Sequence, residues 1–466
     1  MTEYEKFLQS KKQVAISSGF NKEKSLMCEA MFDWQKDIVF WALKKGRAAL
    51  FEDCGLGKTI QELEWASSVS EHTKMPVLIV CPLAVAEQTK REAEKFGFQG
   101  VKVVREQEQV SSGVNITNYE ILHHFDASAF SGVVLDESSI LKNFSGKTRT
   151  EIIEMFQNTP YKLSCTATPS PNDFMELGNQ AEFCGVMSRT EMLATYFTHD
   201  GGETSKWRLK GHAHDSFWEW LATWAVVMTN PSDLGYDGTK FMLPPLETYQ
   251  HTVRCEENII DDNYAMFAKV AETLAERRNA RRNSIDDRCE LAKRLIDEHP
   301  EDQWLVWCDL NAEAEKLTSV IEGAVEIRGT DTPDEKAERL NGFSTGRIKR
   351  LVTKPSIAGF GINWQNCNHM IFVGLSDSFE MLYQAIRRCW RFGQEKTVYV
   401  HIVCSEAEGA VKANIDRKER LAAMMTQEMV KHTKEILEEE IKGTVRITIP
   451  YNPQVEMTVP EWMVSA

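Results

Sequence analysis

A glycine-rich segment that ends in lysine is the clearest chemical feature of the chain. Residues 52–59 have the sequence EDCGLGKT and lie between a short apolar run, Ala48–Phe51, and a segment with helical character. A strand, a glycine turn and a helix in this order point backbone N–H groups at a phosphate. The alternative interpretation is a glycine turn that is followed by a lysine by chance, and such a turn would not require a strand before it and a helix after it. The predicted nucleotide-binding residues of this loop are Gly55, Gly57, Lys58 (β and γ phosphates) and Thr59 (Mg²⁺).

Two acidic residues follow a later apolar run. Asp136 and Glu137 come directly after Val133–Leu135. A carboxylate at the end of a strand can hold Mg²⁺ through water, and its neighbour can orient or deprotonate an attacking water. Such a pair alone also fits a solvated turn, but the phosphate-binding loop in the same predicted sheet favours nucleotide hydrolysis.

Arginines in the C-terminal half are candidates for the second half of this nucleotide site. Residues 384–394 have the sequence QAIRRCWRFGQ and begin as a helix would. Arg388 and Arg391 are three residues apart, so both can face one partner. Guanidinium groups that reach a γ phosphate from another domain stabilise its developing charge. The alternative for this segment is a basic, solvated helix.

The elements around these motifs alternate short apolar runs with helical stretches, which predicts parallel sheets covered on both faces. We therefore predict an α/β fold with two doubly wound parallel-sheet lobes and helical insertions. The predicted strands are Ala48–Phe51, Val77–Cys81, Val101–Val104, Val114–Thr117, Val133–Leu135 and Lys162–Cys165, then Leu305–Cys308, Val325–Ile327, Arg350–Thr353, Met370–Val373 and Val398–Val403. The predicted domains are a first lobe at 1–170, a helical insertion and linker at 171–300, and a second lobe with a helical extension at 301–466.

The predicted insertion has two features that could bear on nucleic acid. Residues 172–245 are aromatic-rich and predicted to be mostly helical, so the tryptophans between 207 and 224 are expected to pack in a core rather than stack on bases. Arginines between 277 and 288 fit phosphate contacts or a solvated helix face equally well. The tail at 408–442 is predicted to be helical, and a short strand-like end at 444–450 is predicted to follow it.

Composition sets broad limits on function. The 466 residues carry a formal net charge of −15, which argues against a passive basic nucleic-acid binder but not against a motor with one basic cleft. The 11 cysteines form no CxxC pair, and His212, His214 and Asp215 are interpreted as surface residues. We expect a cytoplasmic protein that makes no membrane contact.

Taken in order, these blocks resemble the motifs of superfamily 2 helicases, and specifically the Swi/Snf-type branch of duplex-DNA translocases. The resemblance covers about residues 30–405. The matching segments are Trp34-Gln35 (the adenine-reading glutamine element), GLGKT (motif I), Asp136-Glu137 (motif II), Thr166–Pro169 (motif III), Leu243–Pro245 (the LPP element), Ala358–Asn363 (motif V) and Gln384–Gln394 (motif VI).

The resemblance implies two RecA-like lobes that close on ATP and Mg²⁺. It implies catalytic roles for Lys58, Glu137, Arg388 and Arg391. The further implied nucleotide contacts are Gln35, Asp136, Gly361 and Gln384, with Thr59 and Asp136 on the metal. The implied nucleic-acid contacts are Thr117, Asn118, Thr166, Gly359 and Asn363. The chain departs from the family at Glu52 (the first glycine of the P-loop pattern), Ser138-Ser139 and Lys354–Ser356.

Three functions fit these observations. The first is ATP-driven translocation on duplex DNA, the second is strand separation of DNA or RNA, and the third is an inactive, nucleotide-gated interaction module. The compact motor resembles those carried by bacteriophages and mobile elements. No nuclease motif is apparent, so a nuclease or a remodelled protein would act as a separate partner.

Overall fold

The computed structural model describes residues 15–83, 85–143, 146–200, 203–253, 282–358, 363–376, 378–406 and 409–442. Two parallel sheets, each covered by helices, dominate these residues. Among the helices in these ranges, none has the length and hydrophobicity of a membrane-spanning segment. The predicted fold class, two doubly wound RecA-like lobes, is therefore confirmed.

The first sheet has seven parallel strands in the order β3-β4-β2-β5-β6-β1-β9. Its central position is occupied by β5, which ends at the predicted acidic pair. The strands are β1 (Arg47–Glu52), β2 (Val77–Cys81), β3 (Lys102–Val103), β4 (Val114–Asn118), β5 (Gly132–Asp136), β6 (Tyr161–Cys165) and β9 (Ala225–Met228). A separate antiparallel hairpin consists of β7 (Phe197–Asp200) and β8 (Glu203–Leu209).

The second sheet has six parallel strands in the order β10-β15-β14-β11-β13-β12. The segment after Leu243–Pro245 forms an edge strand of this sheet. The strands are β10 (Leu246–Val253), β11 (Trp304–Cys308), β12 (Ala324–Glu326), β13 (Arg350–Thr353), β14 (His369–Val373) and β15 (Val398–Ser405).

Alternating side chains place a hydrophobic core on each face of both sheets. In β1, Ala48 and Leu50 pack in one core while Ala49 and Phe51 pack in the other. The helices that cover these faces are α1 (Asp33–Lys45), α2 (Lys58–Thr73), α3 (Ala86–Lys95), α4 (Lys147–Met155), α5 (Leu177–Cys184), α6 (Arg189–Tyr196), α7 (His214–Ala222), α8 (Ile285–Asp297), α9 (Asn311–Val320), α10 (Pro333–Ser344), α11 (Pro355–Ala358), α12 (Phe379–Ile386) and α13 (Gly409–Lys442).

The segment 172–245 is only partly helical. It contains α5, α6 and α7, but also the β7–β8 hairpin and β9, which extends the first sheet beside β1. Its tryptophans pack as predicted, because Trp218, Trp220 and Trp224 are buried in the core of the first lobe. The strand-like end predicted at 444–450 lies outside the described residues.

Helix α13 connects the two lobes. Its first turns place Val411 and Ile415 in a core of the second lobe, and its last turns place Leu437 and Ile441 in a core of the first. Near its end, Glu440 accepts a 2.9 Å hydrogen bond from the Trp41 indole. The predicted helical extension of the second lobe thus returns to pack on the first.

Candidate functional site

The glycine loop lies between β1 and α2, as the sequence predicts. Gly55 and Gly57 have φ angles of 89° and 77°, which side chains with a Cβ rarely adopt. A Cβ on Gly57 would also lie 2.6 Å from Gln35 Nε2. Lys58 begins α2, and its ammonium donates to the Glu52 and Asp53 carbonyl oxygens at 2.8 and 3.2 Å. The lysine therefore lies over its own loop, where a phosphate would be held, and Thr59 follows it in the first turn of α2.

Gln35 is held against this loop by two hydrogen bonds. Its Nε2 donates to the Leu56 carbonyl at 2.9 Å, and its Oε1 accepts from the Phe32 N–H at 3.0 Å. The side chain is buried. Its amide is thus hydrogen-bonded to the backbone of the predicted phosphate-binding loop. This position suits a residue that contacts the base.

Asp136 ends β5, and Glu137 has the left-handed φ of 55°, uncommon for a residue with a side chain. Burial raises the pKa of Asp136 to about 7, and repulsion from Glu137 adds to the effect. Burial also raises the pKa of Glu137, against the attraction of Lys58 and Arg388. A divalent cation would favour the charged form of both carboxylates, so the chemistry of the acidic pair suits Mg²⁺, for which Asp136 and Thr59 remain the predicted ligands.

A third carboxylate near this pair was not predicted. Glu62 lies on α2, one turn after Lys58, and is fully buried. Burial raises its pKa well above the usual value, and repulsion from Asp136 raises it further. Its helical position was visible in the sequence, but its inward direction depends on how α2 packs on the sheet. The concentration of buried carboxyl groups strengthens the fit to a cation.

The second lobe contacts the glycine loop through α12 and the turn after it. Arg387 Nη2 donates to Asp53 Oδ2 at 2.9 Å and also to the Cys54 carbonyl. The Tyr383 hydroxyl donates to the other Asp53 oxygen. Arg387 is 3% exposed, so this is a buried link between the lobes. Sequence reasoning missed it, since the spacing of the adjacent arginines does not show which one faces Asp53.

The two predicted arginines lie beside this link. Arg388 is buried and its Nε donates to the Gln384 carbonyl at 3.0 Å. Burial lowers the pKa of Arg388, and burial together with repulsion from Arg388 lowers the pKa of Arg391 to about 10. A bound anion would offset this repulsion. A Cβ on Gly55 would lie 3.7 Å from Arg391 Cβ, so the arginine segment touches the glycine loop directly.

Two further contacts join the lobes near the acidic pair. Gln384 Nε2 lies 3.5 Å from Glu137 Oε2, at the limit of a hydrogen bond. Glu380 on α12 pairs with Lys142 and accepts a 3.3 Å hydrogen bond from Thr168 Oγ1. The motif III-like segment is therefore linked to the helix that leads to the arginines.

The predicted nucleic-acid contacts are less open than expected. Thr117 and Thr166 are fully buried, and Thr166 Oγ1 accepts from the Thr168 N–H. Asn118 Oδ1 caps a short 3₁₀ helix, and the Asn363 amide oxygen is buried. In this conformation the threonine side chains present no surface to a ligand. Gly359 and Gly361 lie outside the described residues.

The arginine-rich stretch at 277–288 contains both exposed and buried side chains. Arg282 is exposed, whereas Arg288 is fully buried and pairs with Glu313 at 2.6 Å. For Arg288 both predicted alternatives, phosphate contact and a solvated helix face, are therefore wrong, because its side chain is buried between α8 and α9. Arg277, Arg278 and Arg281 lie outside the described residues.

Two family models match the chain, the SNF2-related domain over residues 34–191 and the helicase conserved C-terminal domain over residues 287–393. Together they cover more than half of it. The SWI/SNF-related matrix-associated actin-dependent regulator of chromatin subfamily A-like protein 1 of Xenopus tropicalis is 28% identical over 160 residues, 32% of this chain and 17% of the relative. Its Caenorhabditis elegans homolog is 22% identical over 82% of this chain and 59% of the relative.

Helicase SWR1 of Candida albicans is 32% identical over 33% of this chain and 11% of that protein. The chain thus spans less than two thirds of these curated relatives. Among solved structures, the SWI2/SNF2 ATPase core of Sulfolobus solfataricus in complex with double-stranded DNA has 17% identity and a TM-score of 0.43, covering 91% of this chain and 99% of that one.

Proposed function

The chain belongs to the Swi/Snf-type branch of superfamily 2 helicases and ATPases, and we propose that it is an ATP-driven motor that translocates along duplex DNA. The observation that carries the proposal is the direct contact between the glycine loop of one lobe and the arginine segment of the other. A site divided in this way forms only when the lobes close, so nucleotide hydrolysis and lobe movement are coupled.

In the proposed mechanism each lobe supplies half of the hydrolytic site. Lys58 and the loop N–H groups bind the phosphates. Thr59 and Asp136 would hold Mg²⁺, which would neutralise phosphate charge. Glu137 orients the attacking water and accepts its proton. Arg388 and Arg391 stabilise the charge that develops on the γ phosphate. Gln35 contacts the adenine from its position against the loop.

The DNA part of the proposal rests on the family motifs. Thr117, Asn118, Thr166, Gly359 and Asn363 correspond to family positions that contact the nucleic-acid backbone. Because Thr117 and Thr166 are buried in this conformation, we propose that they contact DNA only after a rearrangement, or through neighbouring backbone N–H groups. Opening and closing of the lobes would then advance the motor along one strand.

A DNA-stimulated ATPase assay tests the proposal. Wild-type protein should hydrolyse ATP slowly alone and faster with blunt duplex DNA, whereas Lys58→Ala should remain at background in both conditions. Lys90→Ala, on the half-exposed face of α3, is the matched lysine control and should behave as wild type. Equal background turnover in wild type and Lys58→Ala would contradict the motor.

A second assay separates translocation from strand separation. A translocase should displace a third strand from a triplex in the presence of ATP while leaving the underlying duplex intact. A strand-separating helicase would instead release single strands from a tailed duplex. Release of single strands without triplex displacement would favour the helicase over the translocase.

A further inference from the structure

Three potential metal ligands meet where α13 crosses α7. His214 is the first residue of α7, and Glu428 and His432 lie one turn apart on α13. One ligand atom from each of the three side chains lies within 4.8 Å of the others. We propose that these residues bind a divalent transition-metal cation of the Zn²⁺ type.

The pair on α13 already has nearly the spacing of two ligands of one ion. His432 Nε2 lies 3.0 Å from Glu428 Oε2. Two ligand atoms of a tetrahedral zinc ion, each about 2.0 Å from the metal, are about 3.3 Å apart. An ion can therefore replace the proton between these two groups with little side-chain rotation. The third ligand atom needs to approach by about 1.5 Å at most.

Hydrogen bonds hold His214 in a tautomer that can bind a metal. The Trp218 indole N–H, which can only donate, lies 3.2 Å from His214 Nε2, so this nitrogen carries the lone pair. The ring proton is then on Nδ1, which lies 3.4 Å from Asp215 Oδ1. Metal-binding histidines commonly donate their second N–H to a carboxylate in this way. The ion would take Nε2 in place of the indole hydrogen bond.

Ring packing restrains the orientation of the two imidazoles before any ion binds. His432 stacks on the Trp218 indole with centroids 5.7 Å apart and an interplanar angle of 7°. It also lies edge-on to His214 at 4.6 Å. Because the rings are restrained by packing, the entropy lost on metal binding is small.

The ligand types select the class of ion. Two imidazoles and one carboxylate suit Zn²⁺ and similar borderline cations, whereas Mg²⁺ and Ca²⁺ prefer oxygen ligands. The side chains of His214 and Glu428 are both 38% exposed, so water can occupy a fourth position. The site is thus distinct in chemistry from the Mg²⁺ site proposed between the lobes.

An ion at this position would link two helices of the fold, α7 and α13. Its ligands come from α7, which packs in the first lobe, and from α13, whose first turns pack in the second lobe. The ion would attach α13 to the first lobe. Since only the folded contact between α7 and α13 brings the ligands together, binding should raise the thermal stability of the whole chain.

Calorimetric titration of the chelator-treated full chain with Zn²⁺ tests this site. We expect one equivalent to bind, with affinity reduced more than about 10-fold in His432→Ala and in Glu428→Gln. His212→Ala is the matched control, because this exposed histidine lies two residues before His214 and outside the cluster. Zn²⁺ should raise the melting temperature of wild type and of His212→Ala only, and Mg²⁺ should not reproduce the shift.

Two results would overturn the proposal. One is the absence of Zn²⁺ binding by wild type at micromolar concentration, and the other is equal binding by wild type and His432→Ala. X-ray absorption of the Zn²⁺-loaded wild type decides the matter if a variant does not fold. Imidazole and oxygen ligands support the site, whereas sulfur ligands would assign the ion to cysteines and contradict it.

Discussion

The buried link between Arg387 and Asp53 should control closure of the lobes. Arg387→Met keeps most of the side-chain volume but removes the hydrogen bonds to the Asp53 carboxylate and the Cys54 carbonyl. Loss of one partner of a buried pair costs about 3–5 kcal/mol, and the 22% exposure of Asp53 places this pair at the lower end. At about 1.4 kcal/mol for each factor of ten, the closed state loses on the order of 100-fold in population.

Steady-state ATP hydrolysis with saturating DNA measures this loss. We expect kcat to fall on the order of 100-fold, while binding of a fluorescent ATP analogue is little changed, because the glycine loop belongs to the first lobe. Arg347→Met is the control, since this arginine is exposed and its partner Glu338 is also on the second lobe. It should keep wild-type turnover.

A double-mutant cycle distinguishes closure from direct contact with nucleotide. Asp53→Asn should lower kcat similarly, and the double variant should be little worse than either single variant, since both remove the same interaction. A role of Arg387 in lobe closure is refuted if Arg387→Met retains kcat within about threefold of wild type. It is also refuted if Asp53→Asn is silent, because Arg387 would then act on the nucleotide itself.

Two other predictions concern the same region. Gln35→Ala should weaken ATP binding and reduce the preference for ATP over GTP, because the amide held against Leu56 is lost; equal discrimination by variant and wild type would contradict this role. Burial raises the pKa of Glu52 from 4.5 in the unfolded chain to about 7 in the folded protein, so the folded state binds this proton more tightly. The resulting contribution to the free energy of unfolding is complete below pH 4.5 and is lost as the pH rises through 7. Urea unfolding should show that the free energy of unfolding decreases by about 3 kcal/mol as the pH rises from 4.5 to above 7, and Glu52→Gln should remove this decrease. An unchanged dependence of the free energy of unfolding on pH in that variant would contradict the assignment.

Much of the fold could be predicted from the sequence, because buried parallel strands are continuous apolar runs. Val77–Cys81 and Arg350–Thr353 were predicted with their observed bounds, and most other strands differ by one or two residues. Strand β9 was missed, since Ala225–Met228 follows a tryptophan-rich helix and its strand conformation depends on pairing with β1.

The halves of the candidate site were visible as local motifs, but the contacts between them were not. The GLGKT loop and the acidic pair follow strands, so their position at one edge of a sheet follows from connectivity. The link from Arg387 to Asp53 joins residues more than 300 positions apart, and His214 meets His432 only because α13 returns to the first lobe. Such contacts depend on the docking of whole elements.

In the proposed mechanism, arginines of the second lobe complete an ATP site on the first. The most direct measurement compares DNA-stimulated ATP turnover and ATP binding in wild type and Arg391→Ala. We predict that the variant binds ATP as wild type does but loses nearly all turnover, because the γ phosphate lacks its stabilising cation at the transition state. Near-normal turnover in Arg391→Ala would contradict this role of the arginine.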